Sequence, residues 1–133
     1  MTVVYLDSSA IAKLAVDEPE SAALRKHLGR HKRPWVSSAL ARTEVLRALA
    51  RTADPEGAVA AGRNVLARIE LVRVNDRVLN EAAIIAPADV RSLDAIHLAT
   101  ARQLQTDLAE MIVYDTRLEK AAASIGLRVR APS

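Results

Sequence analysis

"VVYLDSSAIAKLAV", residues 3–16, decides how the chain is to be read. Its first four letters form a short apolar run, "SSAIAKLAV" after it suits a helix, and a single acid, Asp7, stands between them. A four-residue run halted by an acid reads as a buried strand, not as a signal segment or a membrane span. The unit recurs along the chain. "WVSS" (35–38) precedes "ALARTEVLRALART", "LVRV" (71–74) precedes "DRVLNEAAIIA", and "MIVY" (111–114) precedes "TRLEKAAASIG", closed by Gly126. "LRVR" (127–130) makes a fifth strand. Three further helices are expected. "PESAALRKHLGRH" has Pro19 in its first turn and stops before Pro34, and "DPEGAVAAGRNVLARI" follows an Asp54 cap with Pro55. "RSLDAIHLATARQL" (91–104) opens at a Ser92 N-cap and turns Leu93, Ile96, His97, Ala101 and Leu104 toward a core. Short apolar strands separated by helices predict an α/β fold: a single domain over residues 1–133, with a short central parallel sheet of about five strands covered by helices on both faces.

Composition narrows the chemistry. Half of the 133 residues are hydrophobic, enough for one real core. The absence of cysteine excludes a disulfide framework, a thiolate zinc site and a thiol nucleophile, and agrees with a cytoplasmic location. The net charge of +3 admits an anionic partner without demanding one. Aromatic residues are confined to Tyr5, Trp35 and Tyr114, too few for a platform that stacks several bases, so any nucleic acid would be held mainly through its phosphates. The basic stretch "RKHLGRHKR" (25–33) reads first as a solvated helix end and second as a phosphate contact.

The acids carry the rest. Asp7 directly follows the first expected strand and Asp115 the fourth, and in parallel α/β sheets function gathers at the carboxyl ends of strands. Were those strands neighbours, their ends would lie about 4.8 Å apart. Two carboxylates that close raise each other's pKa unless a cation sits between them. Glu44 lies on the helix after the second strand, and Asp94 near the start of its own helix. Oxygen-only donors from four separate segments suit a hard cation, Mg²⁺ or Mn²⁺, rather than zinc. Each acid also has an ordinary explanation. Asp7 and Asp115 could be turn or N-cap residues, Glu44 could pair with Arg47 or Arg51, and Asp94 could serve the helix dipole. His97, on an apolar face, reads as a core histidine or one that supports a ligand, not as a ligand itself.

As a set, the segments resemble PIN-domain ribonucleases, and specifically the VapC-type toxins of bacterial toxin–antitoxin pairs. The resemblance runs over "VYLDSSAIAKL" (4–14), "SSALARTEVLRAL" (37–49), "SLDAIHLATA" (92–101) and "VYDTRLEKAAASIGL" (113–127), with "DEPES" (17–21) matching the loop after the first helix. It implies that Asp7, Glu44, Asp94 and Asp115 are the catalytic, metal-holding acids, with Ser9 supporting the metal or its water. Val113 departs from the Thr or Ser common beside the last acid, and Thr116 is the hydroxyl at hand to replace it. The implied activity is Mg²⁺-dependent endoribonuclease cleavage, with Mn²⁺ able to substitute and an activated water attacking a phosphodiester in line. Arg42, Arg47 and Arg91 are the arginines expected around the acids. The implied partners are RNA, a second copy of the chain in a homodimer, and a cognate VapB-type antitoxin whose arginine would pair with the carboxylates; no membrane is implied.

Two other classes compete with this one. A phosphoacceptor receiver domain should carry its acceptor at the end of the third strand, where "LVRV" leads into Asn75 and Asp76, and has no use for Glu44 or Asp94. A non-catalytic RNA- or protein-binding domain of the same fold is the alternative that metal-dependent cleavage of RNA would exclude.

Overall fold

The structure, a computed structural model, describes all 133 residues. Five strands, β1 (Val3–Leu6), β2 (Trp35–Ser38), β3 (Glu70–Val72), β4 (Leu108–Ile112) and β5 (Val129–Arg130), form one parallel sheet in the order β3-β2-β1-β4-β5. The expected α/β architecture is what is found. β1 is central: the chain first builds outward through β2 and β3, then returns to the other side of β1 with β4 and β5. The strand order therefore reverses between β1 and β4, where parallel sheets open a crevice at their carboxyl edge.

Alternation along β1 sorts the layers. Val4 and Leu6 join Ile112 in a core with α1 (Ser8–Ala15), α2 (Ser21–His31), α3 (Leu40–Leu49) and α4 (Pro55–Leu66). Tyr5 points the other way, joining Val36 and Met111 in a second core under α5 (Asp76–Ile84), α6 (Ser92–Gln103) and α7 (Thr116–Ser124). No helix is long and apolar enough to cross a membrane.

Several boundaries differ from expectation, each for a local reason. Helix α2 starts at Ser21, leaving Pro19 in the turn before it; the Ser21 hydroxyl donates to the Lys13 carbonyl and accepts from Glu18 N–H, folding residues 17–20 back on themselves. Strand β3 ends at Val72, the last residue with a β2 partner. Strand β4 runs 108–112, not 111–114, so Asp115 lies beyond Val113 and Tyr114 instead of directly after the strand. The ladder stops there because Tyr114 N–H donates to the Ser9 hydroxyl (3.1 Å), not to a strand. Helix α6 takes Arg91 as its N-cap, without a side-chain cap bond, and Ser92 is its first residue. Leu93 is half exposed, while Ala95, His97, Leu98, Ala99, Thr100 and Ala101 are buried. Wedged between the sheet and α5, α6 is covered almost all round beyond its first turn, so no single apolar stripe describes it.

Candidate active site

All four acids lie on the carboxyl side of the sheet, and three of them share one binding geometry. Asp7 is the N-cap of α1: its Oδ1 accepts from Ala10 N–H (3.0 Å) and from the Ser9 hydroxyl (2.6 Å). Asp115 is the N-cap of α7: its Oδ1 accepts from Arg117 N–H (2.9 Å) and Leu118 N–H (3.1 Å). Glu44, midway along α3, accepts on Oε1 from the Ser8 hydroxyl (2.6 Å) and from His97 Nε2 (2.6 Å). In each case one carboxylate oxygen is tied twice and the other is left outside those bonds. Asp7 and Asp115 are thus helix caps, and because a cap uses only one oxygen, each keeps a second oxygen outside the cap bonds. Glu44 makes no ion pair with Arg47 or Arg51.

His97 explains how Glu44 is held. The ring is buried at 2% exposure and both nitrogens are engaged: Nε2 faces the Glu44 carboxylate and Nδ1 faces the buried Tyr5 hydroxyl (2.6 Å). A carboxylate can only accept, so Nε2 carries a proton; the Tyr5 hydroxyl donates to Nδ1 of the neutral ring and accepts from Nδ1 of the charged one. The histidine is a supporting residue, as its apolar face suggested. Its partner is a carboxylate 53 positions away in the chain.

Asp94 is held most loosely. It sits in the first turn of α6 with Oδ2 3.7 Å from Arg91 Nε, and Arg91 is well exposed, so that pair is screened and weak. Glu44, Asp94 and Asp115 line one cavity of about 260 Å³ with Arg91, Ser92 and Leu93. A second cavity, about 340 Å³, shares Asp94 and Arg91 and adds Arg117 and Lys120. Arg42 and Arg47 are exposed on α3 and line neither cavity. Arg117 and Lys120 were not foreseen; the only sequence signal was their place just after Asp115. Ser8 was also passed over, although it adjoins Asp7. Ser9 bonds the Asp7 carboxylate. Thr116 is exposed at the first position of α7, and Val113 is fully buried in the second core.

Charge is crowded here. Burial of Asp7, at 3% exposure, pushes its pKa up to about 6 against the bonds from Ser9 and Ala10. Burial, then the Asp115 charge, raises Asp94. Burial opposes ionisation of Glu44 too, but the His97 bond and charge and the Ser8 hydroxyl outweigh it and hold Glu44 below the usual carboxylate range. An all-oxygen donor set in which Asp7 and Asp94 resist ionising fits a hard divalent cation. As the side chains stand, no three carboxylate or imidazole groups converge closely enough to grip one.

A central parallel sheet with acids gathered where its strand order reverses defines a class. The chain belongs to the PIN domain family, whose family model matches residues 4–124. It is 54% identical over 133 residues to ribonuclease VapC46 of Mycobacterium tuberculosis, covering 100% of both chains. It is 40% identical to ribonuclease VapC35 of the same organism, over 98% of this chain and 97% of that one. The crystal structure of VapBC2 from Rickettsia felis bound to a promoter DNA fragment matches with a TM-score of 0.76. That match covers 99% of this chain and 100% of that one; at 9% identity it is a likeness of fold.

Proposed function

We propose that the protein is a VapC-type endoribonuclease, the toxin of a type II toxin–antitoxin pair, and that Asp7, Glu44, Asp94 and Asp115 hold its Mg²⁺. The supporting observation is the shared tethering: Asp7, Glu44 and Asp115 each commit one oxygen to the protein and keep the other from those bonds. That arrangement fixes direction while leaving a donor for a cation. Bound there, Mg²⁺ or Mn²⁺ supplies the Lewis acid that stabilises charge on the cleaved phosphate and activates water.

The chain's own residues do the remainder. Ser9 and Ala10 N–H orient Asp7, Ser8 and His97 orient Glu44, and the first turn of α7 orients Asp115. Arg91, Arg117 and Lys120, beside Asp94, bind the RNA phosphates. The two named ribonucleases support the reaction class, and the VapBC2 complex supports a VapB-type antitoxin as partner. An antitoxin arginine entering the acidic cavity would form a charge-assisted pair in place of the metal. The protein acts as one domain over residues 1–133, as a homodimer in the cytoplasm when free of antitoxin.

Chelation tests the reading. EDTA should abolish cleavage of an RNA panel, and added Mg²⁺ or Mn²⁺ should restore it. Asp94→Asn keeps the shape and the acceptor but removes a charge, so cleavage should fall by orders of magnitude with little change in fold stability. Activity that survives exhaustive chelation, or full cleavage by Asp94→Asn, refutes the metal-holding role.

A further inference from the structure

At the other end of the sheet lies a groove that the acidic site does not use. It has a volume of about 500 Å³ and runs between the C-terminal half of α2 and the edge strand β5. His27 and His31 line it from α2, Arg33 from the following loop, Arg128 from just before β5 and Arg130 from β5 itself. The two imidazoles lie edge to face, 5.1 Å apart. Glu110, buried at 7% exposure, forms the floor and ties the walls together: Oε1 bonds His27 Nε2 and Oε2 lies 3.7 Å from Arg130 Nε. Arg33 Nε donates to the Thr2 hydroxyl (3.0 Å), and both residues continue into a second, shallower hollow with Lys32.

The charge of the molecule is concentrated there. Residues 25–33 and β5 with Arg128 hold seven of the nineteen lysines and arginines, paired only with Glu110 and, at the margin beside Arg25, Asp17. The other twelve cations are outnumbered by fourteen acids, so the net positive charge of the chain resides at this end. Its arginines and lysines are exposed, apart from the half-buried Arg33. Thr2, on the rim, is five residues along the chain from Asp7, a separation of roughly 16 Å at strand rise. The groove and the acidic cavity share no lining residue, so a polyanion that fills both must reach around the molecule. A folded RNA with phosphates on two sides would do so.

We infer that this groove is a second phosphate-binding surface, which holds the body of a structured RNA while the acids at the far edge address the bond to be cut. The identity of the polyanion rests on the proposed ribonuclease function; the groove and its charge do not. Groove arginines would release counterions on binding, and each lost contact should flatten the salt dependence by about 0.7–0.9 in the log–log slope.

The test uses the full chain carrying Asp94→Asn, so that RNA is bound and not cut, with bulk tRNA as probe in fluorescence anisotropy across a salt series. Adding Arg33→Ser with Arg128→Ser should weaken tRNA binding about tenfold or more and lower the slope by about 1.4–1.8. A matched variant, Arg63→Ser with Arg102→Ser, removes the same charge from exposed positions elsewhere. It should change binding far less. Equal losses in the two variants would show that net charge alone acts, and unchanged binding in the groove variant would overturn the surface outright. Loss of poly-glutamate binding with tRNA binding intact would assign the groove to an acidic protein segment and also refute the inference. Unaltered circular dichroism and melting temperature confirm that the variants fold. If tRNA binds through the groove but the wild-type chain cuts no RNA, the catalytic reading fails and the groove stands; if RNA is cut and groove variants bind normally, the reverse holds.

Discussion

At the scale of single residues, the site is a set of carboxylates whose charge the protein tolerates unequally. Asp7 is the extreme case. The folded protein holds its proton up to about pH 6, whereas the unfolded chain releases it near the ordinary value of 3.8. Between those values folding takes up a proton, so metal-free stability falls as pH rises from about 4 to about 6. The separation of roughly two units corresponds to something on the order of 3 kcal/mol. Asp7→Asn retains an acceptor for Ser9 and Ala10 N–H, and in EDTA at pH 7 it should be more stable than wild type, with a flatter pH profile. Urea melts from pH 4 to 8 check both; a variant that is less stable at pH 7 contradicts the account. His97 offers a second prediction. His97→Ala frees Glu44 and leaves the buried Tyr5 hydroxyl unpaired, at a cost of about 1–3 kcal/mol or more with the cavity. Mn²⁺ affinity, read by calorimetry, should fall about 10–100-fold. Gln can accept from Tyr5 and donate to Glu44, so His97→Gln should recover most of that affinity.

At the scale of elements, the α/β alternation was legible because three expected strands, VVYL, LVRV and MIVY, are short runs followed by Asp7, by Asn75 and Asp76, and by Asp115, each ahead of a helical stretch. The acids were legible for the same reason, since Asp7 and Asp115 stand where strands give way to helices. What stayed hidden depends on contacts between distant segments. The Ser8–Glu44 and His97–Glu44 bonds join positions 36 and 53 apart, and no local pattern announces them. The phase of α6 was misjudged at Leu93 because a helix buried on several sides retains a period without a preferred face. The end of β4 was misplaced because a serine hydroxyl, not a strand, takes the Tyr114 N–H. Helix packing was hidden too, and two glycines expose it. In α4, a Cβ at Gly62 would lie 2.4 Å from Leu49 Cδ1, itself buried in the core. Gly62→Ala gains up to about 1 kcal/mol of helix propensity but incurs about 1–3 kcal/mol of overpacking, so a net loss is expected. In α2, nothing lies within 4 Å of a Cβ at Gly29, and Gly29→Ala should stabilise by about 0.5–1 kcal/mol. Thermal melts of the two variants should shift in opposite directions.

At the scale of the whole molecule, the two ends of the sheet carry opposite charge: carboxylates where the strand order reverses, arginines and histidines between α2 and β5. Crowded carboxylates make the folded state a better cation binder than the unfolded chain, so Mn²⁺ at a hundredfold excess over its dissociation constant should add roughly 2.7 kcal/mol of stability. The gain should be larger at pH 7 than at pH 5, because Asp7 is mostly protonated at the lower value. Differential scanning calorimetry with and without EDTA measures it directly, and a melting temperature indifferent to Mn²⁺ at both pH values would contradict the cation site.

The central place of β1 bears on how the protein is made. β1 is the first strand to leave the ribosome, yet one of its two partners, β4, is not translated until residues 108–112. Asp7 and Asp115 are separated by 108 positions, about 5–20 s of elongation at typical speeds. Throughout that interval one edge of the central strand is unpaired and the acidic cavity lacks a wall. A nascent chain therefore carries no finished site, and any truncation before α7 yields a fragment without Asp115. The hazard of such a chain to the cell that makes it begins only once α7 has been made.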